Sequence, residues 1–305
     1  MTLRLEPYRD EHTEEVLAVI NAAFGFERSL DWFQWKHREG PWGPSSGMVA
    51  IDEHGIAGVR LLLPWRFKGS AGRVLAHRAV EAATAPRAKG QGVFSRLNRE
   101  LMREATDRGE PTFLFSTPNE QSRSGYQKLG WSWLEPVTHI WRPALPRPGG
   151  SSLLSGDAAL ETFSAGPADA SSIGTAWSRE SLRWRLDPRA GHEYSVIADS
   201  TKSHPSGLAY RVASGSKLRS ILPLIAWGPA EQQKRLLGVV ARRERAGLLL
   251  DTGAVGGKPV GTGPGSKRGN SLLAVWPTPQ LSTHNWPVDR IGDWKVGFAD
   301  LESVL

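Results

Sequence analysis

Residues 81 to 94 read Glu-Ala-Ala-Thr-Ala-Pro-Arg-Ala-Lys-Gly-Gln-Gly-Val-Phe, an apolar strand that passes through a glycine-bearing turn into a helix. A strand-to-helix junction of this kind aims free backbone N–H groups and the positive end of the helix dipole at one point, so it can hold an anion. Gly90 and Gly92 let the backbone come close to a pyrophosphate with no side chain in the way. Arg87, Lys89 and Arg96 add positive charge around it. Taken as a bare pattern the turn is only moderately specific, because glycine-rich turns before helices are common.

The elements that would carry this turn can be followed along the chain. Val16, Leu17, Ile20, Ala23 and Phe24 recur at helical spacing, with Asp10 placed to cap, and predict a helix over 11–24. Residues 48–51 and 56–63 read as a hairpin about the turn Asp52-Glu53-His54-Gly55, and 74–84 as the next strand. Val93, Leu97, Leu101 and Ala105 fall four apart, which predicts a helix over 92–108 with Gly109 at its end. A strand over 111–117, a short helix over 119–128 closed by Gly130, and a strand over 132–141 complete the series. Residues 143–151 hold three prolines and two glycines, the composition of a linker. Further on, Ser178 to Arg185 and the strand at 194–198 echo Ser29 to Lys36 and the strand at 48–51, and Gly207-Leu208 echoes Gly58-Val59 in the partner strand. A helix is expected over 229–246, and Gly253 to Gly269 reads as a mobile loop.

The 305 residues are about twice a usual domain length, and 39% hydrophobic with 23% charged residues is ordinary globular usage. No apolar run approaches the length that spans a bilayer, and the first residues lack the apolar stretch of a signal peptide, so a cytoplasmic protein with no membrane partner is expected. With no cysteine, a thiolate metal site, a disulfide framework and a cysteine nucleophile are all excluded, and no metal is expected. A net charge of +7 and a pI near 9.9 suit a polyanionic partner without choosing among nucleic acid, an anionic surface and a phosphate-rich cofactor. Most of the thirteen tryptophans are expected in the core or at a domain interface.

The turn resembles that of the GNAT acyltransferase superfamily, whose acyl-CoA signature is Gln or Arg, two residues, Gly, one residue, then Gly or Ala. Arg87-Ala88-Lys89-Gly90-Gln91-Gly92 fits at every defined position. A second family element, an asparagine followed seven residues later by Tyr-x-Lys-Leu-Gly-aromatic, matches Asn119 and Tyr126-Gln127-Lys128-Leu129-Gly130-Trp131. The resemblance covers roughly residues 3–142. It implies an α+β (α/β) fold of two tandem domains, each a central mixed, mostly antiparallel sheet flanked by helices. The boundaries expected are 1–145 for the domain with the acyl-CoA site, 146–158 for a linker, and 159–305 for a second domain lacking the turn. There, Gly228-Pro229 follows the strand at 221–226 with no matching glycine loop.

Carried over, the resemblance implies that Arg87, Ala88, Lys89, Gly90, Gln91, Gly92, Val93 and Phe94 hold the pyrophosphate, chiefly through the amides of 88–94. Ala82, Ala83 and Thr84 hold the acyl arm, and Asn119 and Tyr126 complete the cofactor site. Tyr126 is the expected acid for the leaving thiolate, since a phenol of pKa about 10 can protonate a thiolate whose conjugate acid is near 8.5. On the amine side Glu81 is the candidate base; Glu81 could equally pair with Arg78 or Arg60, and His77 and His37 are weaker alternatives. Acetyl-CoA or another acyl-CoA is thus the expected co-substrate and a small-molecule primary amine, such as an amino sugar, the expected acceptor. Acylation of a protein or peptide amine, a non-catalytic acyl-CoA sensor, and a basic nucleic-acid-binding protein are the alternatives. The last would make both motif matches coincidental. A monomer or a homodimer is expected.

Overall fold

The computed structural model describes residues 3–25, 27–69, 71–118, 120–134, 137–149, 152–165, 172–201, 203–214, 218–251, 267–271, 273–284, 286, 288, 294–296 and 298–300. The chain forms two compact units, 1–134 with 273–293, and 135–272 with 294–305.

In the first unit, strands β1 (Arg4–Pro7), β2 (Ser46–Asp52), β3 (Gly55–Gly69), β4 (Gly72–Thr84), β5 (Phe113–Ser116) and β6 (Ser132–Trp133) come from the first 134 residues. Helices α1 (Thr13–Phe24), α2 (Leu30–His37), α3 (Val93–Asp107) and α4 (Glu120–Lys128) come from the same stretch. The sheet order is β1-β2-β3-β4-β5, then Ala274–Pro277, then β6. Neighbours are antiparallel except β4 and β5, which run parallel because α3 carries the chain back across the sheet. The fourfold spacing of α3 does what it predicts. Val93, Leu97, Leu101 and Ala105 are all buried, and the first three pack with Met48, Ala50, Leu62 and Ala79 of the strands. Gly109, at φ 69°, ends the helix.

Two elements escape the sequence pattern. Strand β1 is too short and too polar to alternate, and α2, capped by the Ser29 side chain accepting from the Trp32 N–H, buries aromatic residues on more than one face. Helix α1 starts at Thr13 after a 3-10 turn, with no side-chain cap; Asp10 pairs with Arg38 instead.

The second unit repeats the plan. Its strands are β7 (Val137–Pro143), β8 (Leu153–Ser155), β9 (Ile173–Thr175), β10 (Ser195–Asp199), β11 (Ser206–Ser214), β12 (Arg219–Trp227), β13 (Leu248–Asp251) and β14 (Lys267–Ser271). The late strands β15 (Ala274–Pro277) and β16 (Trp294–Lys295) follow, β15 belonging to the first unit. Helices α5 (Gly156–Leu160), α6 (Arg179–Arg185) and α7 (Ala230–Arg243) complete the unit. Its sheet runs β8-β10-β11-β12-β13-β7-β14, with β12 and β13 parallel around α7, and β9 pairs with β16. The sequence echo is physical: Ser178 caps α6 by accepting from the Ser181 N–H, as Ser29 caps α2.

These units divide the chain differently from the boundaries expected at 145 and 159. The strand expected over 132–141 is two strands in two units, and β8 lies inside the expected linker. Pairing decides this: β15 inserts between β5 and β6 and buries Ala274 and Val275, a return from late in the chain that composition cannot reveal. The loop expected at 253–269 lies outside the described residues except for 267–269, which are strand.

Helix α3 packs closely on the sheet at Gly58, where a Cβ would stand 2.5 Å from Val93 Cγ1 and 3.1 Å from the Ala83 carbonyl oxygen. Gly58→Ala should therefore push the first turn of α3 off the sheet and destabilise the fold by roughly 1–3 kcal/mol. Urea denaturation of the two proteins measures it; equal midpoints would show that α3 yields without strain.

Candidate active site

Strand β4 is pulled out of regular pairing at one point. Leu61 faces Val80 and Val59 faces Ala83, so Glu81 and Ala82 together oppose Arg60 in a β-bulge. Glu81 has φ 49°, in the left-handed region that non-glycine residues avoid and where strain concentrates at functional sites. The ladder from β4 to β5 joins only His77 to Leu114 and Arg78 to Phe115. Beyond that, among the described residues, β4 runs through Ala82, Ala83 and Thr84 with no backbone partner on the β5 side, an open edge to which an extended arm can add.

The turn follows directly. Residues 86–88 form a 3-10 turn, and Gly92, with φ 73°, sits at the N-cap of α3 with no side-chain cap. The amides of Ala88, Lys89 and Gln91 donate to Ala85, Pro86 and Ala88 carbonyls within the turn. Those of Gly90, Gly92, Val93 and Phe94 have no such partner among the described residues. The N–H cradle is thus narrower than the expected run from 88 to 94. Ala88 buries its methyl group in the core. Arg87 is turned away from the cradle, its Nε and Nη2 donating to Asp52 at 3.1 Å, and Arg96 donates to the Leu3 carbonyl oxygen. That Arg87 guanidinium holds the Asp52 carboxyl below its ordinary range. Arg87 is therefore a clamp that ties the turn to the β2–β3 hairpin. Lys89, Gly90, Gln91 and Gly92 are exposed, leaving Lys89 as the side-chain cation at the cradle.

Asn119 lies outside the described residues. Tyr126 is buried, edge-on to Phe94 at 5.4 Å and to Trp131 at 4.8 Å. Its hydroxyl accepts from Arg60 Nη2 and donates to Ser116 Oγ at 3.1 Å, and Ser116 in turn donates to the Ala79 carbonyl oxygen. Arg60 and Ser116 are the residues that sequence reasoning did not assign to the site. The available signal is a single charge inside the apolar strand Ile56 to Leu63, one of the two arginines that the sequence offers Glu81 as a partner.

Glu81 pairs with neither Arg60 nor Arg78. Lys36 Nζ lies 2.6 Å from its Oε1 and His37 Nε2 3.8 Å away, while His37 Nδ1 is 3.0 Å from Ser45 Oγ. Helix α2 delivers both groups, and Lys36 also lies over the Trp32 ring. His77 is elsewhere. It lines a small pocket with Leu101, Ala105 and Arg108, at the far end of the 15-residue α3, roughly 20 Å from the turn. It is excluded as a base at the turn on distance.

The second unit carries different residues at the matching positions. Gly207 faces Trp227 as Gly58 faces Thr84, and counting back from those pairs sets Leu224 where the first unit has Glu81, and Ala209 where it has Arg60. The extra residue in the strand persists, without the positive φ. From β12 to α7 the chain takes two residues, Gly228 and Pro229, and Pro229 is the N-cap.

Residues 4–134 match the family model of the acetyltransferase (GNAT) domain. No curated protein matches the chain in sequence. Among solved structures, a conserved protein from Enterococcus faecalis V583 named a probable N-acyltransferase aligns over 90% of this chain and 72% of its own, with a TM-score of 0.67 at 14% identity. A GCN5-related N-acetyltransferase from Anabaena variabilis gives 0.65 at 11% over the same shares. Eis1 from Mycobacterium abscessus gives 0.58 at 12%, over 92% of this chain and 74% of its own. At these identities the likeness is one of fold. The two-unit plan of mixed sheets and helices is shared along nearly the whole chain.

Burial holds His77 neutral down to a pKa of about 4, with the Arg108 charge acting in the same direction, and its Nδ1 has no hydrogen-bond partner. The unfolded chain takes up that proton near pH 6.5 and the folded one does not, so stability present above pH 6.5 is lost as pH falls towards 4. The loss is about 3 kcal/mol. Chemical denaturation at pH 7 and pH 4.5 should show most of that decrease in the parent protein and a smaller one in His77→Gln; identical pH dependence would show that His77 titrates normally.

Proposed function

We infer that this chain, whose residues 4–134 belong to the GNAT acetyltransferases, moves an acyl group from acyl-CoA to the primary amine of a small molecule such as an amino sugar. The observation that carries this reading is the uncapped cradle at Gly90 to Phe94, set at the end of a strand whose edge past the bulge is open. A pyrophosphate needs several convergent N–H groups, and an acyl-pantetheine arm needs an unpaired strand edge; the two are continuous in this chain. A main-chain N–H beside the bulge would hold the thioester oxygen and bind it more strongly as it becomes negative.

In the transfer, the amine nitrogen adds to the thioester carbonyl carbon, the C–S bond breaks, the thiolate takes a proton, and the amine gives one up. Tyr126 is assigned to the thiolate: its hydroxyl turns from Ser116 to the sulfur while Arg60 keeps the ring oxygen in place. Glu81 is assigned to the amine. Lys36 Nζ, itself a primary amine, already sits 2.6 Å from that carboxylate, so the position receives an ammonium group, and His37 stands behind it to take the proton onward. The Glu81 side chain is only 9% exposed. Such enclosure favours a slender amine over a side chain on a folded protein.

Because the protein has no cysteine, thiol release from acyl-CoA can be followed with a thiol reagent against a panel of amines without background from the enzyme. Tyr126→Phe should lower the rate by roughly 10- to 10,000-fold with CoA affinity little changed. A phenylalanine variant that turns over like its parent would leave Tyr126 a packing residue.

The second unit offers a proline at its N-cap, which has no N–H to give, and Glu231 in the first turn of α7, where a phosphate would have to sit. Calorimetric titration with CoA should therefore give one equivalent per chain, and two would overturn the assignment of the donor site to the first unit alone.

A further inference from the structure

Arg60 is 2% exposed, yet among the described residues no carboxylate pairs with it. Its guanidinium makes two hydrogen bonds, to the Tyr126 hydroxyl and, at 3.5 Å, to the Val80 carbonyl oxygen, while its Nε has no partner. A guanidinium carries five N–H donors and keeps its charge at any physiological pH. Holding such a cation out of water with most donors unused is destabilising unless an anion completes it. Two further buried donors close on the same ring. Trp131 and Trp133 pack edge-on to Tyr126 at 4.8 and 6.4 Å, and the Nε1 of each is buried without a partner. Phe94 and the Tyr126 ring, over which the Arg60 guanidinium lies, wall the remaining side. Where the second unit has lost the glycine turn, the position matching Arg60 is Ala209, so the sheet itself does not require the charge.

Resting on the acyl-transfer reading given above, we propose that Arg60 receives a carboxylate at the far end of the acyl group, so that the donor is a dicarboxylic acyl-CoA rather than acetyl-CoA. Arg60 donates to the hydroxyl assigned to the thiolate, so with about 3 Å for each hydrogen bond it lies within roughly 6 Å of the sulfur. An acyl chain with two or three carbons between thioester and carboxylate spans that distance. Arginine suits this role because its planar fork meets a carboxylate with two parallel N–H bonds. The transfer balances as before: the amine nitrogen replaces sulfur on the acyl carbon, the thiolate leaves as CoA thiol with the Tyr126 proton, and the product amide keeps its terminal carboxylate.

The test is equilibrium binding of two non-hydrolysable CoA thioethers of one shape, S-(3-carboxypropyl)-CoA, in which a methylene replaces the thioester carbonyl of the two-carbon chain, and its uncharged amide S-(3-carbamoylpropyl)-CoA, to the full chain. The carboxylate analogue should bind at least tenfold tighter. Arg60→Gln should bind the two alike, and Arg60→Lys, which keeps the charge without the fork, should retain part of the preference. Equal or weaker binding of the carboxylate analogue to the parent protein would overturn the proposal and return the Arg60 charge to the leaving thiolate. If Arg60→Gln does not fold, the parent's preference and its partial retention in Arg60→Lys decide alone. Should neither thioether nor CoA itself bind, the acyl-CoA reading fails, and this proposal with it.

Discussion

The bulge that sets Glu81 and Ala82 together against Arg60 is the constraint on which the first unit depends. Up to Arg78, β4 is an ordinary central strand, hydrogen-bonded to β3 and β5 and covered by α3. One extra residue then changes its direction, pairing with β5 stops, and the strand ends as an open edge that leads into the Gly90–Gly92 turn. Regular pairing throughout would have closed that edge and left no place for an extended ligand. A left-handed glutamate costs about 1–3 kcal/mol in backbone strain. Its carboxylate recovers part of this by pairing with Lys36, brought in on a helix capped by Ser29.

Comparison of the two units separates what the architecture needs from what the chemistry needs. Both keep a serine-capped helix, an antiparallel hairpin, a strand with one extra residue, and a parallel return over a helix. Only the first carries glutamate and arginine at the irregularity and an eight-residue connection, 85–92, between strand and helix. In the second, Leu224 is buried where Glu81 would be, and the Trp227 ring lies so close over Gly207 that a Cβ there would stand 2.0 Å from it. Apolar packing stands there in place of the polar irregularity, which spares the second unit the cost of a buried charge.

Much of this was legible from residue order. Helices with fourfold apolar spacing, the hairpin at residues 52–55 and the glycine turn announce themselves because each is a local interaction, decided within a few residues. The long-range facts were hidden. Nothing in Ala274–Pro277 says that it pairs with Phe113–Ser116, and nothing in Arg87 says that Asp52, on a distant hairpin, turns it from the phosphate cradle. The partner of Glu81 was misjudged for a related reason. Arg60 and Arg78 are its neighbours on the sheet, but a bulge rotates side chains out of the regular alternation, and Lys36 meets it from a helix that the apolar pattern does not mark.

The same rotation keeps apart the two groups proposed to handle protons, Tyr126 and Glu81. Tyr126 is held by β3, β5 and α4, through Arg60, Ser116 and its own helix, whereas Glu81 is held by α2, through Lys36 and His37. Acyl transfer to an amine needs an acid for the departing sulfur and a base for the attacking nitrogen at the same moment. If the two groups shared a hydrogen bond, the proton would pass between them and both would be spent. Among the described residues, the groups that hydrogen-bond Tyr126 are not those that pair with Glu81. Arg60 faces the bulge on its own strand while its guanidinium donates to the Tyr126 hydroxyl. In the proposed transfer the acid and the base are therefore kept apart at one displaced residue in β4; the second unit keeps that extra residue as Leu224, so it is the glutamate there, together with the glycine turn, that distinguishes the first unit.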